Sequence, residues 1–168
     1  PQDPNALLFQ DTVRDELVFT RAAHGLSAAG VEGWLDELGL RALAGRYPRS
    51  LSAGERQCTA LGAILVAEPS LLLLDEPTRG LDALEKRALA ALLQRQAVQG
   101  RAILLATHDI ELAAACAHRV VVLDGGRVVA EGDTGDVLAA LPALHPQMLR
   151  LFGDRRILTV ADALEAAR

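Results

Sequence analysis

The sequence predicts an α/β fold with a parallel core and a separate helical lobe. Three observations predict it. Leu71–Leu74 and Ala102–Ala106 are short, wholly apolar runs, the pattern of strands buried on both faces of a parallel sheet. A helical pattern from Ala83 to Gln99, closed by Gly100, joins them, and the order strand–helix–strand is that of a parallel crossover. The first 50 residues, by contrast, are mostly helical in pattern.

The elements follow in chain order. Asn5 to Phe19 starts irregular and turns helical, with Thr12 at the helix start and Asp15 placing a carboxylate in its first turn. Val31–Leu38, containing Trp34, reads as a short amphipathic helix. Ser52-x-x-Glu55 is a capping-box pattern that opens an Ala/Leu/Ile-rich helix running to Ala67, and Pro69 ends it. Ile110 to Ala117 is helical. Arg119–Leu123 and Arg127–Ala130 flank Asp124-Gly125-Gly126, a tight hairpin signal. Two short helices follow, the last one capped by Thr159-x-x-Asp162. This divides the chain into a helical subdomain at 3–66, a core at 67–132 and a C-terminal helical extension at 133–168.

Composition excludes several function classes. With 22 acidic and 17 basic residues the formal charge is −5, and only five residues are aromatic, so no nucleic-acid partner is expected. Cys58 and Cys116 match no metal-ligand spacing and read as buried, reduced thiols. No apolar run approaches the roughly 20 residues of a membrane span. Pro1–Asn5 lacks the basic and apolar parts of a signal peptide. His24, His118 and His145 have no constellation around them. The chain has a single lysine, Lys86, inside the helix after Asp82. A function needing a phosphate-binding lysine must use Lys86 or do without.

Three constellations carry chemistry: Leu51-Ser52-Ala53-Gly54-Glu55, Leu71–Thr78 continuing into Arg79-Gly80-Leu81-Asp82, and Thr107-His108-Asp109. A buried strand ending in Asp75-Glu76 delivers two carboxylates to the carboxyl edge of a parallel sheet, where α/β proteins bind ligands. Burying unpaired carboxylates is costly, so a hard cation and an activated water are their natural partners. His108 follows the next strand to the same edge. Ser52 and Gly54 open a long helix whose free amides and positive dipole end suit a phosphate.

These residues resemble the ATP-binding-cassette (ABC) ATPase family. Leu51–Glu55 is similar to its LSGGQ signature, Leu71–Glu76 to its Walker B strand, Gly80-Leu81-Asp82 to its D-loop, His108 to its switch histidine and Gln2 to its Q-loop glutamine. The resemblance runs from residue 2 to about residue 132 and implies part of a P-loop NTPase (RecA-like) sheet with an inserted helical subdomain. It departs in Ala53, where the family usually has Gly, and in Glu55, which as the third helical residue can turn back to cap Ser52. It departs most in lacking the family's glycine-rich Walker A loop with its Lys. Gln2–Leu17 and the tail from His145 to Val160 resemble, more finely, the ATPases of energy-coupling-factor importers.

The resemblance implies ATP and Mg²⁺ as cofactors. Glu76, His108 and Gln2 become catalytic, with Glu76 polarising the attacking water. Asp75 and Gln2 would hold Mg²⁺, and Asp82 would cross the interface to a second cassette. Ser52, Ala53, Gly54 and Glu55 would face an ATP held by that cassette in a head-to-tail dimer. A membrane transport subunit would dock near Asn5–Phe19, placing the protein on the cytoplasmic face of the membrane. The expected function is a nucleotide-binding subunit coupling ATP hydrolysis to import. Without Walker A these 168 residues read as the back portion of a larger domain, starting at the Q-loop and inactive alone. The alternatives are a soluble ABC ATPase of DNA repair, chromosome structure or translation, or an inert module that donates a signature. Only 50 residues separate Gln2 from Ser52, too few for coiled-coil arms, which favours the transporter.

Overall fold

A computed structural model of the chain describes residues 6–168. They form two compact units, the first ending at Ala106 and the second spanning Thr107–Arg168.

The first unit contains helices α1 (Val13–Ala23), α2 (Val31–Glu37), α3 (Ala53–Leu65) and α4 (Ala83–Val98), and strands β1 (Leu71–Asp75) and β2 (Ala102–Ala106). α1 starts as expected: the Thr12 hydroxyl accepts from the Asp15 N–H at 3.1 Å. α3 starts with a complete capping box. Ser52 Oγ accepts from Glu55 N–H at 3.2 Å, and Glu55 Oε2 accepts from Ser52 N–H at 2.7 Å. That helix stops two residues short of Ala67, because Glu68 turns to a left-handed φ of 54° ahead of Pro69.

β1 and β2 pair in parallel, from Leu71 opposite Ala102 to Asp75 opposite Ala106, with α4 as the crossover. The expectation of burial on both faces is corrected. Leu72 is 2% exposed, whereas Leu71 and Leu73 are 53% and 64% exposed, and Leu104 beside them is 65% exposed. Alternation of this kind marks a sheet covered on one face only. Among the described residues of this unit the sheet has two strands, and Leu71 and Leu73 stand largely open on one of its faces.

The helical part is tied together by Arg21, on the last turn of α1 and 7% exposed. Its Nε donates to the Ser27 carbonyl at 2.5 Å. Its Nη1 donates to the Val66 carbonyl at 3.0 Å and to Glu68 Oε1 at 2.8 Å. Val66 caps the C-terminus of α3, whose last carbonyls have no partner within the helix. Glu16, also buried, accepts from the Gln10 N–H and holds the segment before α1 against the helix. Further along, α2 meets α4 through Glu37 Oε1 and Gln96 Nε2 at 2.7 Å, and the Arg101 guanidinium lies 5.2 Å from the Trp34 ring centroid.

The second unit holds α5 (Ile110–Cys116), the antiparallel strands β3 (Arg119–Asp124) and β4 (Arg127–Asp133), α6 (Thr134–Ala140), α7 (Gln147–Phe152) and α8 (Val160–Ala166). Gly125 and Gly126 take φ of 52° and 74°, the positive angles that a two-residue hairpin turn demands. Three helices follow the hairpin rather than two; the last has the expected Thr159–Asp162 capping box. Leu138, Leu149 and Leu158 make the core of this unit, with Ile110 and Leu144 against them.

Two outcomes follow. Arg21→Ala leaves a buried carbonyl at Val66 unpaired and is expected to lower unfolding free energy by about 2–4 kcal/mol, with Arg21→Lys recovering less than half, measured by denaturant titration. Burial raises the Glu16 carboxyl above its ordinary 4.5, outweighing the backbone hydrogen bonds that lower it. A raised folded-state value means the native state holds the proton more tightly. The stability linked to Glu16 is therefore full below pH 4.5 and is lost as pH rises through the raised value. The melting temperature of the wild type minus that of Glu16→Gln is expected to fall over that window; a flat difference would refute the assignment.

Candidate functional site

The site is built at the end of β1. The Glu76 N–H donates to the Ala106 carbonyl at 2.8 Å, so the parallel ladder continues one residue past the strand. Held there, Glu76 has φ 47°, in the left-handed region. For a residue other than glycine that conformation costs about 1–3 kcal/mol. The Glu76 carbonyl then accepts from Arg79 N–H at 3.2 Å, and the Thr78 carbonyl from Leu81 N–H at 3.1 Å, winding residues 76–81 into a tight turn. Pro77 and Thr78 are buried beneath it, Glu76 is half-buried and Asp75 is exposed. Asp75 is therefore not buried, contrary to the expectation for both acids. What sets this strand end apart is the backbone that Glu76 is made to adopt.

The signature segment opens α3. Ser52 and Ala53 are exposed and Gly54 is buried. The Glu55 carboxylate, turned back onto the Ser52 N–H, lies below the ordinary carboxylate range because of that hydrogen bond. Gln57, one turn on, directs Nε2 to the Pro77 carbonyl at 3.5 Å, so α3 touches the turn that follows Glu76. A cavity of about 240 Å³ lies between this helix and the strand, lined by Gln57, Cys58, Leu61, Leu73, Asp75 and Leu81, among others. Both cysteines are free and half-buried rather than fully buried. Burial raises both thiols, that of Cys116 to about 11.

Asp82 caps α4: its Oδ1 accepts from the Leu84 and Glu85 N–H groups, both at 2.8 Å, and Glu85 Oε2 accepts from the Asp82 N–H at 2.8 Å. His108, two residues past β2, is exposed in the second unit. The Asp109 N–H donates to Thr107 Oγ1 at 3.0 Å, and Asp109 Oδ1 caps α5 by accepting from Leu112 N–H at 3.1 Å, so its neighbours fix the turn on which His108 stands. Gln2 lies outside the described residues.

The first unit thus brings together Asp75, Glu76, Asp82 and the Ser52–Glu55 segment. One contributor was not read from the sequence: Asp82-x-x-Glu85 is itself a capping-box pattern that could have drawn attention to Glu85. Among the described residues no group of three His, Cys, Asp or Glu side chains could by itself hold a metal ion. Mg²⁺ in phosphate-transfer sites takes one or two carboxylates and fills its octahedron with water and phosphate oxygens. An exposed Asp75 at the strand end fits that donor set.

Comparison with known proteins agrees with the motifs. The family model described as ABC transporter matches residues 1–79. An ABC transporter ATP-binding protein of Streptomyces avermitilis is 46% identical over 166 residues, which cover 99% of this chain and 30% of that protein. The nickel import ATP-binding protein NikO of Rhodobacter capsulatus is 39% identical over 86% of this chain and 59% of its own length. The chain therefore spans about a third to three fifths of these curated relatives. Among solved structures, CbiO1 of Clostridium perfringens, part of the ABC transporter complex CbiONQ, superposes with a TM-score of 0.72 at 30% identity. That match covers 89% of this chain and 63% of CbiO1. With its parallel strands, its capped signature helix and these relatives, the chain belongs to the ABC ATPase family.

Proposed function

We propose that the chain is the signature-bearing, water-activating part of a nucleotide-binding subunit that couples ATP hydrolysis to import across a membrane. The observation that carries this reading is the left-handed backbone of Glu76, clamped to Ala106 at the end of a parallel strand beside an exposed aspartate. Strain of this kind persists where the surrounding structure over-determines it, and functional sites are where it collects.

In this reading Glu76 orients and polarises the water that attacks the γ-phosphorus, and takes up its proton as the bond from the γ-phosphorus to the bridging oxygen breaks and ADP leaves. Asp75 would hold Mg²⁺, and the ion, when bound, would neutralise charge building on the phosphate oxygens. His108 would meet the γ-phosphate, and Gln2, which lies outside the described residues, would serve Mg²⁺ and the water as the resemblance implies. Ser52, Ala53, Gly54 and Glu55 present the start of α3 to an ATP carried by a second cassette, where free amides and the helix dipole favour the anion. The Glu55 side chain is already engaged with Ser52, so its charge is turned to the backbone rather than outward. Asp82 stands at the interface between cassettes. The Lys-bearing phosphate loop that these 168 residues lack is supplied from outside them, so the chain by itself is inactive.

Import is favoured by the nickel-import relative, and work within a transporter complex by CbiO1; the finer tie to energy-coupling-factor importers rests on the resemblance of Gln2–Leu17 and of the tail from His145 to Val160. No helix of the described residues is long and apolar enough to cross a membrane. The subunit sits at the cytoplasmic face in this reading, as the family resemblance implies. The membrane subunit docks near Asn5–Phe19. In that stretch Leu8 is part of the core, while Phe9, ahead of α1, and Phe19, on α1, are both exposed and stack edge to face, ring centroids 5.0 Å apart. The helical subdomain at 3–66, core at 67–132 and C-terminal extension at 133–168 are the functional divisions.

The test is ATP turnover by the complete gene product. Glu76→Gln is expected to abolish hydrolysis while nucleotide binding persists, and the 168-residue chain is expected to hydrolyse none. Turnover unchanged in Glu76→Gln would refute the assignment. Because the backbone at residue 76 is left-handed, Glu76→Gly is expected to be more stable than Glu76→Ala by about 1 kcal/mol, with both inactive, measured by chemical denaturation.

A further inference from the structure

We propose that Glu85 is a positioning residue that locks the signature end of α3 to the start of α4, and that Gly54 is free of a side chain in order to seat it. The functional part of this proposal rests on the ABC ATPase reading; the contact itself does not.

The contact is unusually close. A Cβ built on Gly54 would coincide with the Glu85 carboxylate, overlapping its carbon and both oxygens. Gly54 is buried and is the second residue of α3, while Glu85 is the third residue of α4. The same carboxylate accepts from the Asp82 N–H at 2.8 Å and closes the capping box of α4. One acidic group therefore sits at two helix N-termini, and both present partial positive charge to it. The Glu85 charge also reaches Cys58, one turn beyond Gly54, and with burial helps to raise that thiol. A second contact, from Gln57 on α3 to the Pro77 carbonyl, links the same helix to the turn between Glu76 and Asp82.

A glutamate side chain ordinarily swings away from a small intruding group at little cost. Here it cannot do so without giving up the Asp82 N–H. A side chain at position 54 would therefore uncap α4, and a loss at position 85 would loosen the signature end of α3. The signature segment and the D-loop segment form one rigid piece. A phosphate engaged at Ser52–Gly54 then acts directly on the backbone at Asp82 and on the turn that begins at Glu76.

Three measurements on the complete gene product test this. The first is a double-mutant cycle on melting temperature. Gly54→Ala is expected to lower it in the wild type. In the Glu85→Ala background the same change is expected to leave it unchanged or raise it, because alanine is the better helix former once the seat is empty. The second is iodoacetamide labelling at fixed pH, read peptide by peptide. Glu85→Gln is expected to speed reaction at Cys58 and not at Cys116. Additive changes in the cycle, or a Cys58 rate indifferent to Glu85→Gln, overturn the seat whether or not the protein hydrolyses ATP. The third is steady-state ATPase. Glu85→Ala is expected to lower kcat about tenfold with KM for ATP unchanged, and Glu85→Gln, which keeps an acceptor for the Asp82 N–H, to restore most of it. An intact kcat in Glu85→Ala overturns the coupling role even if the seat is real. A wild-type protein without ATPase activity refutes the family-based function, and the coupling role with it, while the first two measurements still decide the contact.

Discussion

Unpaired backbone groups at the ends of helices are the constraint around which this chain is arranged. Each helix start leaves amide hydrogens without partners, and each helix end leaves carbonyls. Thr12, Ser52, Asp82, Asp109 and Thr159 each answer the first need at the start of a helix. Arg21 answers the second, reaching from the last turn of α1 to the carbonyl that ends α3. Its contact with Glu68 adds less, since that carboxylate is half exposed and an ion pair so placed is worth little. The same need bears on function. A helix start whose amides are not all satisfied from within favours an anion, and the proposed function gives that part to the Ser52–Glu55 segment.

Carboxylates fall into two groups on this basis. Glu55 and Glu85 are turned inward onto backbone amides and hold the two helix starts that frame the site. Asp75 and Glu76 sit where β1 ends, one exposed and the other on strained backbone. The strain is affordable because the strand pairing continues through the Glu76 N–H and because the turn behind it is hydrogen-bonded twice more. Parallel pairing thus does two things: it fixes where the acids leave the sheet, and it forces the conformation in which the second of them is presented.

The two faces of the β1–β2 pair differ sharply, one covered and the other bare. This matters for how the local pattern is read. A run of four leucines says only that a strand is apolar, not how many of its faces are covered within the same unit. Family membership, reached through motif order and through relatives longer than this chain, rests on spacing along the sequence rather than on the completeness of that sheet.

Much was legible in the sequence. Local hydrogen bonding is governed by residues three or four apart, so the caps at Thr12, Ser52 and Thr159, the Gly125-Gly126 hairpin and the Glu55 turn back to Ser52 could be read directly. The motifs that identify the family are short and contiguous for the same reason. Tertiary structure alone decided the rest. Nothing near Arg21 in the chain shows that it will meet Val66, 45 residues on. The left-handed turn of Glu76 depends on Ala106. The role of Gly54 depends on Glu85, which the chain brings back only after a strand and a tight turn. The physical reason is common to all three. A side chain's own neighbours set its local conformation, but packing between distant elements sets which backbone groups it must satisfy and how much room it has.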